Sequence, residues 1–390
     1  MTISMPASPI QSTPIEAKPP VIKIIGLGGG GQNAVDRMIA LGLEGVDFIA
    51  ANTDAQVLQS SQAQVKIQLG PQLTRGLGAG GNPEIGEAAA EESYRELNQA
   101  MADADMVFLT AGMGGGTGTG SISIAARVAK SLGAVVIAIV TMPFTFEMGR
   151  RAKNARDGLA KLQPFADTLI SVPNDRLLQI APVDLPIEMA FRLADDILRQ
   201  GVQGISELVT QPGLINVDFS HIRNMMKNGG GSLLAIGNGE GSNQAVQAVE
   251  HALHHPMLES INLENASGII ANFTGGDELS FGEVTDALVY LQQKTNGRVD
   301  IVPGVVNDKR MQNRTQVTLV ITGIGGEAMD GSLKYESVRK RMETDADRAQ
   351  QMEAASFFPA EVPASALPQF EMAGVVDDLD IPAFMRKHAR

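Results

Sequence analysis

Apolar residues fall in short unbroken runs, separated by glycine-rich turns and by segments of helical period. Val21-Ile22-Lys23-Ile24-Ile25, Val46 to Ala51, Met106 to Thr110, and residues 134–141 and 167–172 are such runs, and they predict buried strands. Helical spacing lies between them, from about Ala34 to Leu41 and after Asn82-Pro83-Glu84. There an Asn cap, a proline in the first turn and an acid mark a helix start. Ile122 to Ala126 reads as the start of another helix. This alternation predicts a doubly wound, mostly parallel α/β sheet. Pro186 to Val209 keeps a helical period throughout and predicts one long central helix, with Gly201 and Gly204 as its interior weak points. A second, smaller α/β region follows. Its strands are expected at Ser232 to Ile236, Gly268 to Phe273, Val299 to Val306 and Gln316 to Thr322, and its helices near 220–227, 241–253 and 282–293.

The pattern fails at both ends. Residues 1–20 are rich in Pro, Ser and Thr and read as a disordered extension. Residues 326–376 are charged, then rich in Ala, Pro and Ser, and read as a flexible linker with an r.m.s. span on the order of 40 Å. Apolar content returns over 377–390, in Leu379-Asp380-Ile381-Pro382-Ala383-Phe384-Met385-Arg386-Lys387. A short apolar peptide after a linker suits a docking motif that orders on binding. The expected plan between the tails is a first domain at 21–185, the central helix at 186–210 and a second α/β domain at 211–325.

Composition narrows the function classes. A net charge of -13 over 390 residues argues against a nucleic-acid binder, which needs a basic face. The absence of cysteine excludes disulfides and cysteine-held metals. The five histidines form no HExxH pattern, and no metal held by protein side chains is expected. No apolar run reaches the roughly 18–20 residues of a membrane span, and the N-terminus lacks a basic-then-apolar signal, so a cytoplasmic protein is the expectation.

The chemistry resides in glycine loops. Ala111-Gly112-Met113-Gly114-Gly115-Gly116-Thr117-Gly118-Thr119-Gly120 joins a strand to a helix, where backbone N–H groups and a helix dipole favour an anion. It contains no lysine, so it is not the GxxxxGK[ST] loop. Gly26-Leu27-Gly28-Gly29-Gly30-Gly31 fits GxGxxG after a strand. Alone it suits a dinucleotide site, with Asp54 where a ribose-binding acid is sought, or a tight turn with no ligand. Two such loops suggest one polyphosphate gripped from two sides.

GGGTGTG in this setting strongly resembles the signature of the tubulin and FtsZ family of GTPases. Gly26 to Val35 resembles that family's first nucleotide loop, Asn52-Thr53-Asp54 its NTD segment, and Gly76 to Pro83 its γ-phosphate loop. Thr141 to Glu147 resembles its sugar-contacting loop, and Gly213-Leu214-Ile215-Asn216-Val217-Asp218-Phe219 its catalytic loop. The terminal peptide is similar to that of the bacterial cell-division FtsZ branch, which tubulins lack. The likeness spans residues 21–325 and the last dozen, and on it the chain is identified as a member of that branch.

The resemblance implies a GTP/GDP site with Mg2+. Gly29, Gly30, Gly31, Gln32 and Asn33 line the nucleotide, and Gly114, Gly115, Gly116, Thr117 and Gly118 hold phosphates. Ala79, Gly80, Gly81 and Asn82 lie by the γ-phosphate, where the family often has Ala in place of Gly81. Glu147 and Arg151 contact sugar and phosphate; a plain i,i+4 ion pair is the alternative. Phe191 stacks on the base and Asp195 reads it, accepting from guanine N1–H and N2–H, a pattern adenine lacks. Spacing alone would put Phe191 in the core and Asp195 toward solvent.

The catalytic loop implies assembly. In the family this loop completes the site of the next subunit in a head-to-tail filament, so polymerisation activates hydrolysis and drives filament turnover in a mid-cell division ring. Asn216 and Asp218 are the hydrolytic candidates. His221 stands where the family usually has a second acid. It is a tolerated change, a cause of slower turnover, or a new catalytic group. Leu379, Asp380, Ile381, Pro382, Phe384, Met385, Arg386 and Lys387 are expected to bind membrane-tethering adaptors and division regulators. Two other functions stay open: a polymerising GTP-binding scaffold that barely hydrolyses, and a nicotinamide-dependent dehydrogenase.

Overall fold

The computed structural model describes residues 19–147, 149–179, 185–210, 218–227, 230–255, 258, 263 and 266–324. Asn216, the expected linker at 326–376, the peptide at 377–390 and residues 1–18 of the expected extension lie outside them.

In the first half, helix separates every pair of consecutive strands. Its elements are β1 (Ile22–Leu27), α1 (Gly28–Ala40), β2 (Asp47–Asn52), α2 (Ala55–Ser60), β3 (Val65–Gln68), α3 (Pro71–Thr74), α4 (Pro83–Glu92), α5 (Tyr94–Met101), β4 (Met106–Gly112), α6 (Thr117–Ser131), β5 (Val135–Met142), α7 (Arg151–Leu162), β6 (Thr168–Pro173) and α8 (Asn174–Leu177). α9 (Ile187–Thr210) follows, then α10 (Phe219–Lys227), β7 (Gly230–Glu240), α11 (Gln244–Leu253), β8 (Gly268–Gly275), α12 (Phe281–Lys294), β9 (Asp300–Asn307) and β10 (Arg314–Thr322).

The ten strands among the described residues form one sheet in the order β3-β2-β1-β4-β5-β6-β7-β10-β8-β9. The first six run parallel. Their order reverses at β1, with β2 on one side and β4 on the other. Such a reversal opens a crevice at the carboxyl ends of the strands, where ligands of open α/β sheets bind. Strands covered on both faces read as unbroken apolar runs, and β5 from Val135 to Val140 is fully buried. In the second half β10 runs antiparallel to both β7 and β8.

One core lies between a face of the sheet and α1, α9 and α10; a second lies beneath α4 to α7; a third joins α11 and α12 to the second half. α9 packs on α1, on β5 and on β8, β9 and β10, so it touches both halves. Its glycines prove to be contact points. A Cβ on Gly204 would sit 2.8 Å from Thr318 Cγ2, and one on Gly201 2.8 Å from Leu234 Cδ2. The Asn272 side chain donates to the Gly204 carbonyl at 3.0 Å. These positions admit the helix close to the sheet, which offsets their low helix propensity.

Two helices begin earlier than the pattern suggests. α1 starts at Gly28 rather than near Ala34, and α6 at Thr117 rather than Ile122. Glycine is a poor helix former, so these turns read as loop. Here several of these glycines sit where a larger residue would clash: a Cβ on Gly31 would run into the Thr110 carbonyl oxygen, and one on Gly120 into the Pro83 carbonyl oxygen. Among the described residues no helix is long and apolar enough to cross a membrane.

Candidate functional site

A cavity of about 440 Å³ occupies the crevice at the carboxyl ends of β1, β4, β5 and β6. Gly29, Gly30 and Asn33 line it from α1, and Gly115, Gly116, Thr117 and Gly118 from the turn into α6. Ala79, Gly80 and Gly81 line it from the turn before α4, Glu147 and Arg151 from around the start of α7, and Phe191 and Asp195 from α9. Elements far apart in sequence thus meet at one place.

The remaining expected nucleotide residues stand behind this surface. Gly31 is packed against β4. The Gln32 side chain is buried, donating to the Val57 carbonyl at 2.7 Å and accepting from Asn52 at 3.4 Å. Asn82 caps α4 by accepting the Glu84 N–H at 3.0 Å. The Gly114 N–H is taken by the Thr119 hydroxyl at 2.8 Å. Each supports the wall and none lines the cavity.

The electrostatics need no lysine. α1 and α6 both begin at the cavity, and neither start carries a side-chain cap. Uncapped first-turn amides and two helix dipoles therefore converge on one volume, which favours an anion with several oxygens. Gly80 and Gly81 have φ of 60° and 76°, with nothing within 4 Å of a Cβ on either. At these two positions the turn presents only backbone to the cavity.

Glu147 and Arg151 make the i,i+4 ion pair and line the cavity as well. Glu147 also accepts the Phe144 N–H at 2.9 Å, which fixes the carboxylate at the wall. Phe191 packs edge-on against Phe144, ring centroids 5.3 Å apart, with one face of the cavity beside it. Asp195 does not face solvent, as spacing alone suggests; it is half-buried in the cavity wall. Burial pushes its carboxyl up to about 7; the Arg37 charge opposes the shift and Asp196 adds to it.

Sequence reasoning missed Asn174 as a site residue. It opens α8 at the end of β6, lines the cavity, and is 4% exposed. Its Oδ1 is buried with no hydrogen-bond partner among the described residues. The signal that would have found it is position: the first residue beyond a parallel strand beside the switch point. Asn52 and Asp54 also line the cavity, and Asp54 caps α2 by accepting from Gln56 and Val57 at 3.0 and 3.2 Å.

Asp218 and His221 lie elsewhere. Asp218 caps α10, accepting the Ser220 N–H at 3.0 Å. The His221 ring nitrogen Nε2 is 3.4 Å from Asp300 Oδ2, and both side chains are exposed. α10 is anchored at the opposite, amino ends of the strands: Arg223 donates to the Gly133 carbonyl just before β5 at 3.4 Å, and the Thr168 hydroxyl at the start of β6 donates to the Met226 carbonyl at 2.7 Å. No cluster of three or more acidic or histidine side chains suited to a metal occurs among the described residues.

Comparison with known proteins agrees with this geometry. Residues 21–182 match the GTPase domain of the Tubulin/FtsZ family, and residues 230–325 match the C-terminal domain of the FtsZ family. The chain is similar to an empty FtsZ dimer from M. jannaschii, with 41% identity and a TM-score of 0.76, over 80% of this chain and 90% of that one. It is also similar to an FtsZ point mutant from M. jannaschii, with 42% identity and a TM-score of 0.76, over 78% and 92%. A GTPγS-bound CetZ2 protofilament from Haloferax volcanii shares the fold at 21% identity, with a TM-score of 0.67 over 85% and 99%.

Proposed function

The chain belongs to the tubulin/FtsZ family of GTPases, and from that premise we propose that it is a filament-forming GTPase of the bacterial division ring. The observation that carries this reading is the separation of the two half-sites. The cavity at the carboxyl ends of the strands suits a guanine nucleotide, and Asp218 caps α10, which is anchored at their amino ends. A residue that far from its own cavity acts on a nucleotide only in another copy.

In this mechanism the opening turns of α1 and α6 hold the α- and β-phosphates, and Ala79 to Gly81 meet the γ-phosphate. Phe191 lies along the base, while Asp195 and Asn174 read its edge. Glu147 and Arg151 close the sugar side. Asp218, with Asn216, enters from the next copy and positions water for in-line attack. Phosphoryl transfer depends on positioning and charge stabilisation, so a lone subunit is slow and assembly raises turnover. When bound, Mg2+ would be held chiefly by the nucleotide's phosphates and would supply charge neutralisation there. A contact between opposite ends of one chain repeats without closing and yields an open filament. The residues from 377 onward serve as the tether to membrane adaptors and regulators, in the cytoplasm at mid-cell.

The test follows light scattering and phosphate release together after adding GTP and Mg2+. Scattering with release supports the proposal. Scattering without release supports a non-hydrolysing scaffold, the second reading, which His221 favours because it replaces an acid. NADH binding with neither signal overturns both.

A further inference from the structure

Thr53 lies between two cavity-lining residues, Asn52 and Asp54, and is itself fully buried. Its hydroxyl is 2.6 Å from that of Thr117, which opens α6 and lines the cavity. Its carbonyl accepts from the Gly78 N–H at 3.3 Å and from the Thr74 hydroxyl at 3.3 Å. Gly78 belongs to the third glycine turn and also lines the cavity. The same turn is tied again beside it: the Ala55 N–H donates to the Gly76 carbonyl at 3.1 Å, and Asp54 bridges Leu77. One buried residue thus binds the second glycine loop through its side chain and the third through its main chain.

The direction of the hydroxyl bond follows from burial. Each hydroxyl has one proton and two lone pairs. If Thr117 donated, the Thr53 proton would be buried without an acceptor in that pair, which is unfavourable. If Thr53 donates, its own proton is satisfied and the Thr117 proton is free to turn into the cavity, where anionic oxygens accept.

We propose that Thr53 is a positioning residue of the phosphate site, aiming the Thr117 hydroxyl at the bound phosphates and holding the 76–81 turn in register with them. This rests on the nucleotide-binding reading above. Thr53 touches no ligand; it acts through Thr117 and Gly78.

The test is equilibrium binding of GDP, GTP and guanosine to the full chain and to Thr53→Val, Thr53→Ser, Thr117→Val and the Thr53→Val/Thr117→Val double variant. Thr53→Val should weaken GDP and GTP about tenfold, the scale of one hydrogen bond to a charged group, while guanosine changes less than about twofold. Thr53→Ser should restore binding. In the Thr117→Val background Thr53→Val should add no further loss, because its path is already cut. Where the valine variant does not fold, Thr53→Ala carries the same comparison. Unchanged GDP affinity in Thr53→Val, an equal loss for guanosine, or full additivity in the double variant would overturn the proposal. Failure of the unaltered chain to bind GDP and GTP would overturn the GTPase reading and this one together.

Discussion

Arg37 on α1 and Asp196 on α9 stand 3.6 Å apart, and the same carboxylate accepts from Arg199 at 2.8 Å and from the Gln200 amide. The charge of Asp196 is thereby occupied inside the protein, while its neighbour Asp195 faces the cavity. An ionised carboxylate accepts both guanine N–H groups, and more strongly than its protonated form. With burial holding Asp195 at about 7, GDP affinity should climb as pH rises through that value and level off above it, falling up to about tenfold per unit below. Arg37→Met removes the opposing charge and should move the midpoint upward; Asp195→Asn should flatten the profile. Titration calorimetry across pH reads this, and affinity that rises on acidification would contradict it. The ligand-free protein behaves the other way. The raised carboxyl takes up a proton on folding, so its contribution to stability is present below its ordinary value of 3.8 and lost as pH rises through about 7.

Asn174 offers a buried oxygen without a partner. Replacing it by Ala removes an unsatisfied acceptor, so the free protein should lose less than about 1 kcal/mol of stability. Nucleotide binding should nonetheless weaken by about tenfold, if a base N–H is what satisfies that oxygen. Denaturant melts and GDP binding separate the two effects. A stability loss without an affinity loss would make Asn174 structural only.

At Gly204 the clash meets the β-branched Thr318, whereas at Gly201 it meets the tip of Leu234. Gly204→Ala should cost about 1–3 kcal/mol. Gly201→Ala should cost less, because a leucine methyl yields more readily. Urea midpoints measured side by side decide the order, and a larger loss at Gly201 would contradict it.

His221 faces Asp300 across 3.4 Å with both groups exposed. His221→Asp should raise phosphate release per assembled subunit. It also sets two carboxylates facing each other, so Asp300→Asn should leave the gain intact while removing that repulsion. Turnover measured at equal scattering tests this. No gain in either background would leave Asp218 as the sufficient acid.

Much of the fold was legible because parallel strands buried on both faces leave unbroken apolar runs, as β4 and β5 do. β3 left no such mark: it is four residues long and half exposed at the sheet edge. The short helices α2, α3 and α8 are likewise below the length at which periodicity speaks. At the site, glycine loops announced themselves by composition. Asn174 did not, since a single Asn after a strand has no local pattern and gains meaning only from the strand order. Gly114 and Gln32 share a motif with lining residues, yet motif membership says nothing about which way an amide points.

β7 is split between two neighbours. Thr168, Leu169 and Ile170 of β6 pair with Gly230, Gly231 and Ser232, while β10 pairs with β7 from Leu233 to Glu240. Neither half of the chain therefore owns a finished sheet. Expressed alone, a fragment ending after β6 would bare an apolar strand edge, and one beginning at β7 would bare the matching edge; such edges seed aggregation. Mixed in solution, the two fragments hold complementary edges, which makes this junction the natural place to split the protein for a reconstitution reporter.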